Sequence, residues 1–338
     1  MFFIHQSKHF ILYMAIMLLL TSCQPPLKKP TVTLPKDIQQ YVHNIEKDIP
    51  DIKKGTHKKI YWYTKTNEQS DLSVIFVHGF AGSRLVYEPN ITEIAQKMKA
   101  NYFATRITGH GQPSKYLQDA TAQKWLQDAH EALEIGKRIG KKVIAICHST
   151  GCPAMLSLLA KEPASHFHSI ILISPNYGPK NRLGEALLWP GGLSLVKKIH
   201  GEYGRLGYAN LTQKQQQLKK QFQAKINLSV TEIFPMESVQ YMMQLVHHAR
   251  ITDHRNIKTP ILFIYSQKDK TININRIERL KNKLSKATVS TILTSPSELD
   301  LSNHLHIGAF TSPKQNRMIS EEILRFLKNP QKKLESTI

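Results

Sequence analysis

The apolar positions of this chain fall into short continuous runs separated by stretches of helical period. Residues 72–77, 101–107, 142–147, 169–174, 260–266 and 288–294 are rich in Val, Ile, Leu and Phe with little polar alternation. Such runs predict strands buried on both faces. Between them, residues 89–100, 121–139, 150–161, 274–284 and 314–327 repeat apolar side chains at helical spacing,. A shorter helix is expected over residues 37–47, where Ile38, Tyr41, Val42 and Ile45 share one side, and a first strand over residues 59–64. This alternation predicts an α/β fold, with a mostly parallel sheet flanked by helices.

The rhythm breaks between Ser174 and Thr259. Residues 176–207 are rich in Gly and Pro; in residues 211–226, Leu211, Leu218, Phe222 and Ile226 recur at sevens and fours; residues 237–249 gather Val239, Met242, Met243 and Val246. An insert of about residues 176–256 between two sheet strands predicts a helical cap over the strand ends, placed before the strand that carries the candidate acid. Its methionine-rich helices would either line an acyl pocket or only pack the cap onto the core. The α/β domain is expected to span residues 37–330, with residues 331–338 as a tail.

The N-terminus changes the picture. Lys8 precedes an apolar run over residues 10–20, too short to span a bilayer as a helix and suited to a signal sequence. Leu20-Thr-Ser-Cys23 follows and resembles the bacterial lipobox. That resemblance implies cleavage after residue 22, acylation of Cys23 and a lipid-anchored protein of the bacterial cell envelope. Gln24, rather than Asp, at the next position favours the outer membrane. Pro25, Pro26, Pro30 and Pro35 then suggest an extended tether over residues 23–36.

The chain carries 46 Lys and Arg against 25 Asp and Glu, a formal charge of +21. The basic residues are dispersed, with no long block and no interleaved aromatics, so a nucleic-acid partner is not expected. A basic surface facing anionic lipid is one reading; a bias without a specific partner is the other. After Cys23, only Cys147 and Cys152 remain. They are expected as two small buried thiols on diverging strand and helix rather than as a disulfide, and no metal site or cofactor is expected.

The candidate chemistry centres on the apolar run 143–147, which breaks at His148-Ser149-Thr150-Gly151 into a helical stretch. Strand, sharp turn and helix with a serine at the apex describe a nucleophile elbow, in which the positions two before and two after must be small. Cys147 and Gly151 hold those positions. Serine needs a base, and the base needs an orienting acid. Asp269 follows the strand at 260–266, and His304 lies in the loop after the strand at 288–294. Glu298 and Asp300 compete as the acid, and His306 competes as the base. His78-Gly79-Phe80 after the strand at 72–77 would supply an oxyanion hole from the amides of Phe80 and Thr150. His78 and His148 are expected to be structural, and Gly109-His110-Gly111 to shape the rim.

His78-Gly-Phe, Gly109-His-Gly, His148-Ser-Thr-Gly, Ser266-Gln-Lys-Asp269 and His304-Leu-His-Ile-Gly308, in this order, resemble the α/β-hydrolase superfamily over about residues 40–328. Within it they are similar to the carboxylesterase, lysophospholipase and monoacylglycerol-lipase branch, which also holds serine aminopeptidase-like sequences. The resemblance implies the triad Ser149, Asp269 and His304 and hydrolysis of a small-molecule or lipid ester without a cofactor. An amidase or peptidase using the same triad, or a surface lipoprotein that keeps the fold only for binding, are the alternatives. Oligomeric state is left open.

Overall fold

The computed structural model describes residues 27–206, 213–296, 300, 302–308 and 313–338. The candidate signal, Cys23 and Glu298 lie outside the described residues, as do Leu211 and the side chains of Leu218 and Phe222. Among the described residues no helix is long and apolar enough to cross a membrane.

The strands are β1 (Lys59–Tyr61), β2 (Ser70–Val77), β3 (Asn101–Ala104), β4 (Gly140–His148), β5 (Phe167–Ile173), β6 (Tyr203–Arg205), β7 (Ile233–Pro235), β8 (Ile261–Tyr265), β9 (Val289–Leu293) and β10 (Glu335–Thr337). The helices are α1 (Ile38–Lys47), α2 (Asn90–Lys97), α3 (Ala122–Ile139), α4 (Gly151–Leu159), α5 (Gly192–His200), α6 (Gln213–Ser229), α7 (Met236–Ile251), α8 (Ile274–Lys283) and α9 (Pro313–Lys328). Among the described residues, eight strands form one sheet in the order β1-β3-β2-β4-β5-β8-β9-β10. Every pairing in it is parallel except β1 with β3. Residues 335–337, within the segment read as a tail, add the last strand beside β9.

The unbroken apolar runs have a direct cause. Ile75, Val143, Ala145, Cys147, Leu172 and Phe263 enter one core, shared with Trp125, Leu133, Met155 and Ile277 of the helices on that face. Their chain neighbours Val74, Phe76, Ile144, Ile146, Ile171 and Leu262 enter the opposite core with Ile91, Ile94, Ile319 and Phe326. Both faces of each central strand are dry, so there is no polar face to alternate with.

The cap lies between β5 and β8. A 3₁₀ segment (Arg182–Leu188), α5, the β6–β7 ribbon, α6 and α7 build it. It has a small core of its own, where Met236 and Met243 pack with Leu187, Leu188 and Val196. Met243 is fully buried there, so it packs the cap rather than lining a pocket. The cap is joined to the loop after β2 through the Thr231 amide, which donates to the Ala81 carbonyl at 2.8 Å.

Two expectations are corrected. Cys147 and Cys152 form a disulfide, with their Cα atoms 5.0 Å apart. The turn between β4 and α4 is tight enough to fold the first turn of the helix back beside the strand end, inside the reach of a disulfide. The proline-rich segment is not a free extended tether from Leu27 onward. The Leu27 amide donates to His248 Nδ1 at 3.3 Å, Lys28 exchanges backbone hydrogen bonds with the Gln123 side chain, and Gln127 Nε2 donates to the Thr31 carbonyl at 2.7 Å. It is laid against α3 and α7.

Candidate active site

β4 delivers Ser149. Its φ of 47° puts a non-glycine residue in the left-handed region, a conformation that costs of order 1–3 kcal/mol and persists only where surroundings enforce it. The Ser149 amide donates to the Ile173 carbonyl at 2.9 Å, and the Ser149 carbonyl accepts from the amides of Cys152 and Asn176. The disulfide closes over the same turn. A Cβ at Gly151 would stand 2.6 Å from the His78 carbonyl oxygen and closer still to that of Val77, so the elbow closes only around a glycine at that position.

β8 ends just before Asp269, which is buried, and the segment after β9 carries His304 back over the sheet. His304 Nδ1 lies 2.7 Å from Asp269 Oδ2, and His304 Nε2 lies 2.8 Å from Ser149 Oγ. A carboxylate only accepts, so Nδ1 carries the proton and donates to Asp269, leaving the Nε2 lone pair to accept from the serine hydroxyl. The other Asp269 oxygen accepts from the amides of Thr271 and Ile272 at 2.7 and 3.1 Å. The three residues singled out in the sequence therefore meet in one hydrogen-bonded line.

The rivals stand elsewhere. His306 is buried and pairs through Nδ1 with Thr294 Oγ1 at 2.8 Å, not with Asp269 or Ser149. Asp300 faces the backbone of the His304 segment rather than an imidazole nitrogen. His78 accepts at Nε2 from the Ile107 amide and donates from Nδ1 to the Gly79 carbonyl. His148 Nε2 donates to the His304 carbonyl at 3.3 Å.

Burial sets the charge of these imidazoles. It lowers His78 to about 4, with Arg106 adding to the effect, and lowers His306 to about 3. Burial likewise holds His110 and His148 well below the ordinary imidazole value. Four neutral histidines surround the cluster, so none of them places a competing positive charge there at neutral pH.

The loop after β2 lies against the serine, since a Cβ on Gly79 would touch Ser149 Cβ at 3.0 Å. No hydrogen bond to a described residue is made by the Phe80 or the Thr150 amide. The half-buried Phe80 ring packs edge-on against Phe234 of the cap at 4.8 Å and against Trp125 and His110. Beneath this loop lies a charged network the sequence did not announce. Lys58 contacts Asp128 and Glu131, Arg106 pairs with Glu46, and Asp128 accepts from the amide and hydroxyl of Thr108. The one available sign was Glu46 on the apolar side of α1. A separate cavity of about 470 Å³ lies between β1 and α2, lined by Tyr61, Trp62, Tyr63, Thr92, Gln96 and Tyr102, among others. It shares no residue with the Ser149 cluster.

Residues 68–295 match the hydrolase family described as serine aminopeptidase, S33. The chain belongs to that family. A curated relative, the probable lysophospholipase BODYGUARD 4 of Arabidopsis thaliana, is 30% identical over 125 residues, covering 35% of this chain and 30% of that protein. This chain thus matches less than a third of that relative's length. Among solved structures, the metagenome-derived lipolytic enzymes LipS and LipT are represented by a match at TM-score 0.58 and 18% identity, covering 82% of this chain and 99% of the other. The monoacylglycerol lipase of Paleococcus ferrophilus matches at TM-score 0.57 and 14% identity, covering 81% and 98%. A soluble variant of the monoglyceride lipase of Saccharomyces cerevisiae matches at 0.56 and 14%, covering 91% and 100%. At these identities the likeness establishes the α/β-hydrolase fold.

Proposed function

We propose that the protein is a serine hydrolase that cleaves carboxylic esters of lipid-like acyl compounds through an acyl-enzyme. The observation that carries the reading is the line Ser149–His304–Asp269, with both hydrogen bonds under 3 Å. Ser149 Oγ attacks the ester carbonyl as its proton passes to His304 Nε2. Asp269 holds the imidazole in the productive tautomer and stabilises the imidazolium. The amides of Phe80 and Thr150 receive the oxyanion, each such donor contributing on the order of 3 kcal/mol to the transition state. His304 returns the proton to the departing alcohol, and water then releases the acid by the same route. The chain's own residues supply every proton transfer in this scheme.

The lipid-like substrate is supported by the cap. Of the ten large hydrophobics most exposed among the described residues, eight lie between Leu183 and Ile251, Trp189 and Ile199 among them. Exposed apolar surface gathered on one insert marks an interaction surface. The lysophospholipase relative points the same way. Acylation at Cys23 in a bacterial envelope, with the outer membrane favoured, belongs to the same proposal and rests on the lipobox alone.

A fluorophosphonate probe should label the wild-type protein and not Ser149→Ala; equal labelling of both sinks the hydrolase reading. A panel of p-nitrophenyl esters should show turnover rising beyond acetate, and a flat or falling series removes the lipid-like part. Cys23→Ser should leave the membrane fraction, and its retention there overturns the anchor. The family's aminopeptidase description supports a second reading, amide or peptide cleavage by the same residues. Matched ester and amide substrates separate the two.

A further inference from the structure

Asp300 stands one turn of backbone before His304, and the sequence offers it as a rival acid. Its carboxylate is committed to something else. Oδ2 accepts from the amides of His304 and Leu305, each at 2.6 Å. Oδ1 accepts from the amide and the hydroxyl of Ser302, at 3.0 and 2.6 Å. Between them, Asn303 adopts a positive φ of 52°, so this short segment follows a path that local backbone preference does not favour. Four donors on one carboxylate hold it there, and hydrogen bonds to an ionised acceptor are the strong ones.

The opposite side of the same backbone is also gripped. The His304 carbonyl accepts from Ser174 Oγ at 2.9 Å and from His148 Nε2 at 3.3 Å. The segment is tied sideways to the loop that bears Asp269, since the Lys270 amide donates to the Ser302 carbonyl at 2.8 Å and Asn303 Nδ2 donates to the Lys268 carbonyl at 3.3 Å. The imidazole hangs from a peptide fixed on both faces. Of these holds, Asp300 is the one that touches the His304 amide directly.

We propose that Asp300 is a positioning residue for the general base. It gathers the N–H groups of Ser302, His304 and Leu305 onto one carboxylate and so sets the height and rotation at which the His304 ring bridges Asp269 and Ser149. This rests on the reading of Ser149, His304 and Asp269 as the catalytic triad. Asp300 touches neither Ser149 nor the His304 ring nitrogens, so its effect is expected in turnover and not in substrate binding. Misplacing a reacting group by about 1 Å from a distance can lower a rate by roughly 10²-fold.

The test is Asp300→Asn, in which an amide nitrogen faces donors that now lack an acceptor. Activity is normalised to the number of serines titrated by a fluorophosphonate, so unfolded molecules do not enter the count. Per titrated site, kcat should fall about 10- to 100-fold while KM stays within about twofold, with fluorophosphonate labelling slowed in parallel. A purely structural role would reduce the number of titratable sites and the melting temperature but leave per-site turnover at the wild-type value, and that result overturns the proposal. Should Asp300→Asn not fold, Ser302→Ala removes one hydroxyl donor and leaves the other three. It should lower per-site kcat several-fold, and wild-type kcat in it overturns the proposal equally. Failure of wild-type protein to be labelled at Ser149 at all is a different outcome, which refutes the triad reading itself.

Discussion

The tightest point in the elbow is Gly151, and its replacement by alanine gives the sharpest test of how Ser149 is held. The added methyl would sit 2.6 Å from the His78 carbonyl oxygen and nearer to the Val77 carbonyl. Both obstacles are backbone atoms of the β2 end, and β2 is hydrogen-bonded to β3 on one side and β4 on the other. Neither can swing aside as a side-chain tip would. Restoring ordinary van der Waals spacing requires α4 to move off the sheet by about 1 Å. That movement is transmitted to Ser149 and Thr150, which precede Gly151 directly and are tied through Cys147–Cys152 to the strand. Overpacking of this kind costs about 1–3 kcal/mol or more in stability. If Ser149 is the nucleophile proposed above, a shift of about 1 Å there is expected to lower kcat by roughly 10²-fold. Urea denaturation and per-site turnover measure the two effects. Gly82→Ala is the matched control, because a Cβ there meets its nearest neighbour at an ordinary 3.5 Å, and it should be close to neutral in both assays. Wild-type turnover and stability in Gly151→Ala would show that strand and helix do not approach as described.

Three further outcomes are expected. Replacing Cys147 and Cys152 by serine opens a six-residue loop and should lower unfolding free energy by about 2 kcal/mol by the chain-entropy relation, read as the shift in urea midpoint; no shift means that the bond does not hold the elbow. His78 and His306 are held neutral by burial down to about 4 and about 3, against 6.5 when unfolded. Their folded values are depressed, so the unfolded chain binds more protons as pH falls through 6.5, and stability intact above that pH is lost towards 4. Each should lower unfolding free energy by about 2 kcal/mol between pH 7.5 and pH 5, and equal stability at the two pH values contradicts their burial as neutral rings. Lys58→Met leaves the Asp128 and Glu131 carboxylates without their buried cation and should destabilise by about 3–5 kcal/mol; neutralising both as Asp128→Asn and Glu131→Gln should recover part of the lost melting temperature, and no recovery argues against the charge account.

The strands were legible because a sheet covered on both faces leaves unbroken apolar runs, and the elbow because its geometry demands small residues around Ser149. The meeting of Asp269 with His304 was legible only as an order along the chain. The choice among Asp269, Glu298 and Asp300, or between His304 and His306, depends on which way a loop turns over the sheet, and no local pattern records that. Asp300 stands beside His304 in the chain yet binds its backbone and not its ring. The disulfide is not legible in this way, because a separation of five residues across a strand and a helix suggests divergence, whereas the turn at Ser149 returns the helix to the strand. The charged network of Glu46, Lys58, Arg106, Asp128 and Glu131 gave almost no sign, because its members come from four separate segments. The docked stretch after Leu27 has no apolar period; it is held by side chains of Gln123, Gln127 and His248 acting on its backbone.

That docked stretch bears on how the enzyme would meet its substrate. If Cys23 carries the acyl chains, only Gln24, Pro25 and Pro26 separate the lipid from the residue fixed on α7, a fully extended reach of about 14 Å. The domain would pivot over a patch of bilayer little wider than a few lipid headgroups. Its turnover would then follow the surface density of substrate in the same leaflet, and dilution of the membranes in buffer would leave the rate per enzyme unchanged.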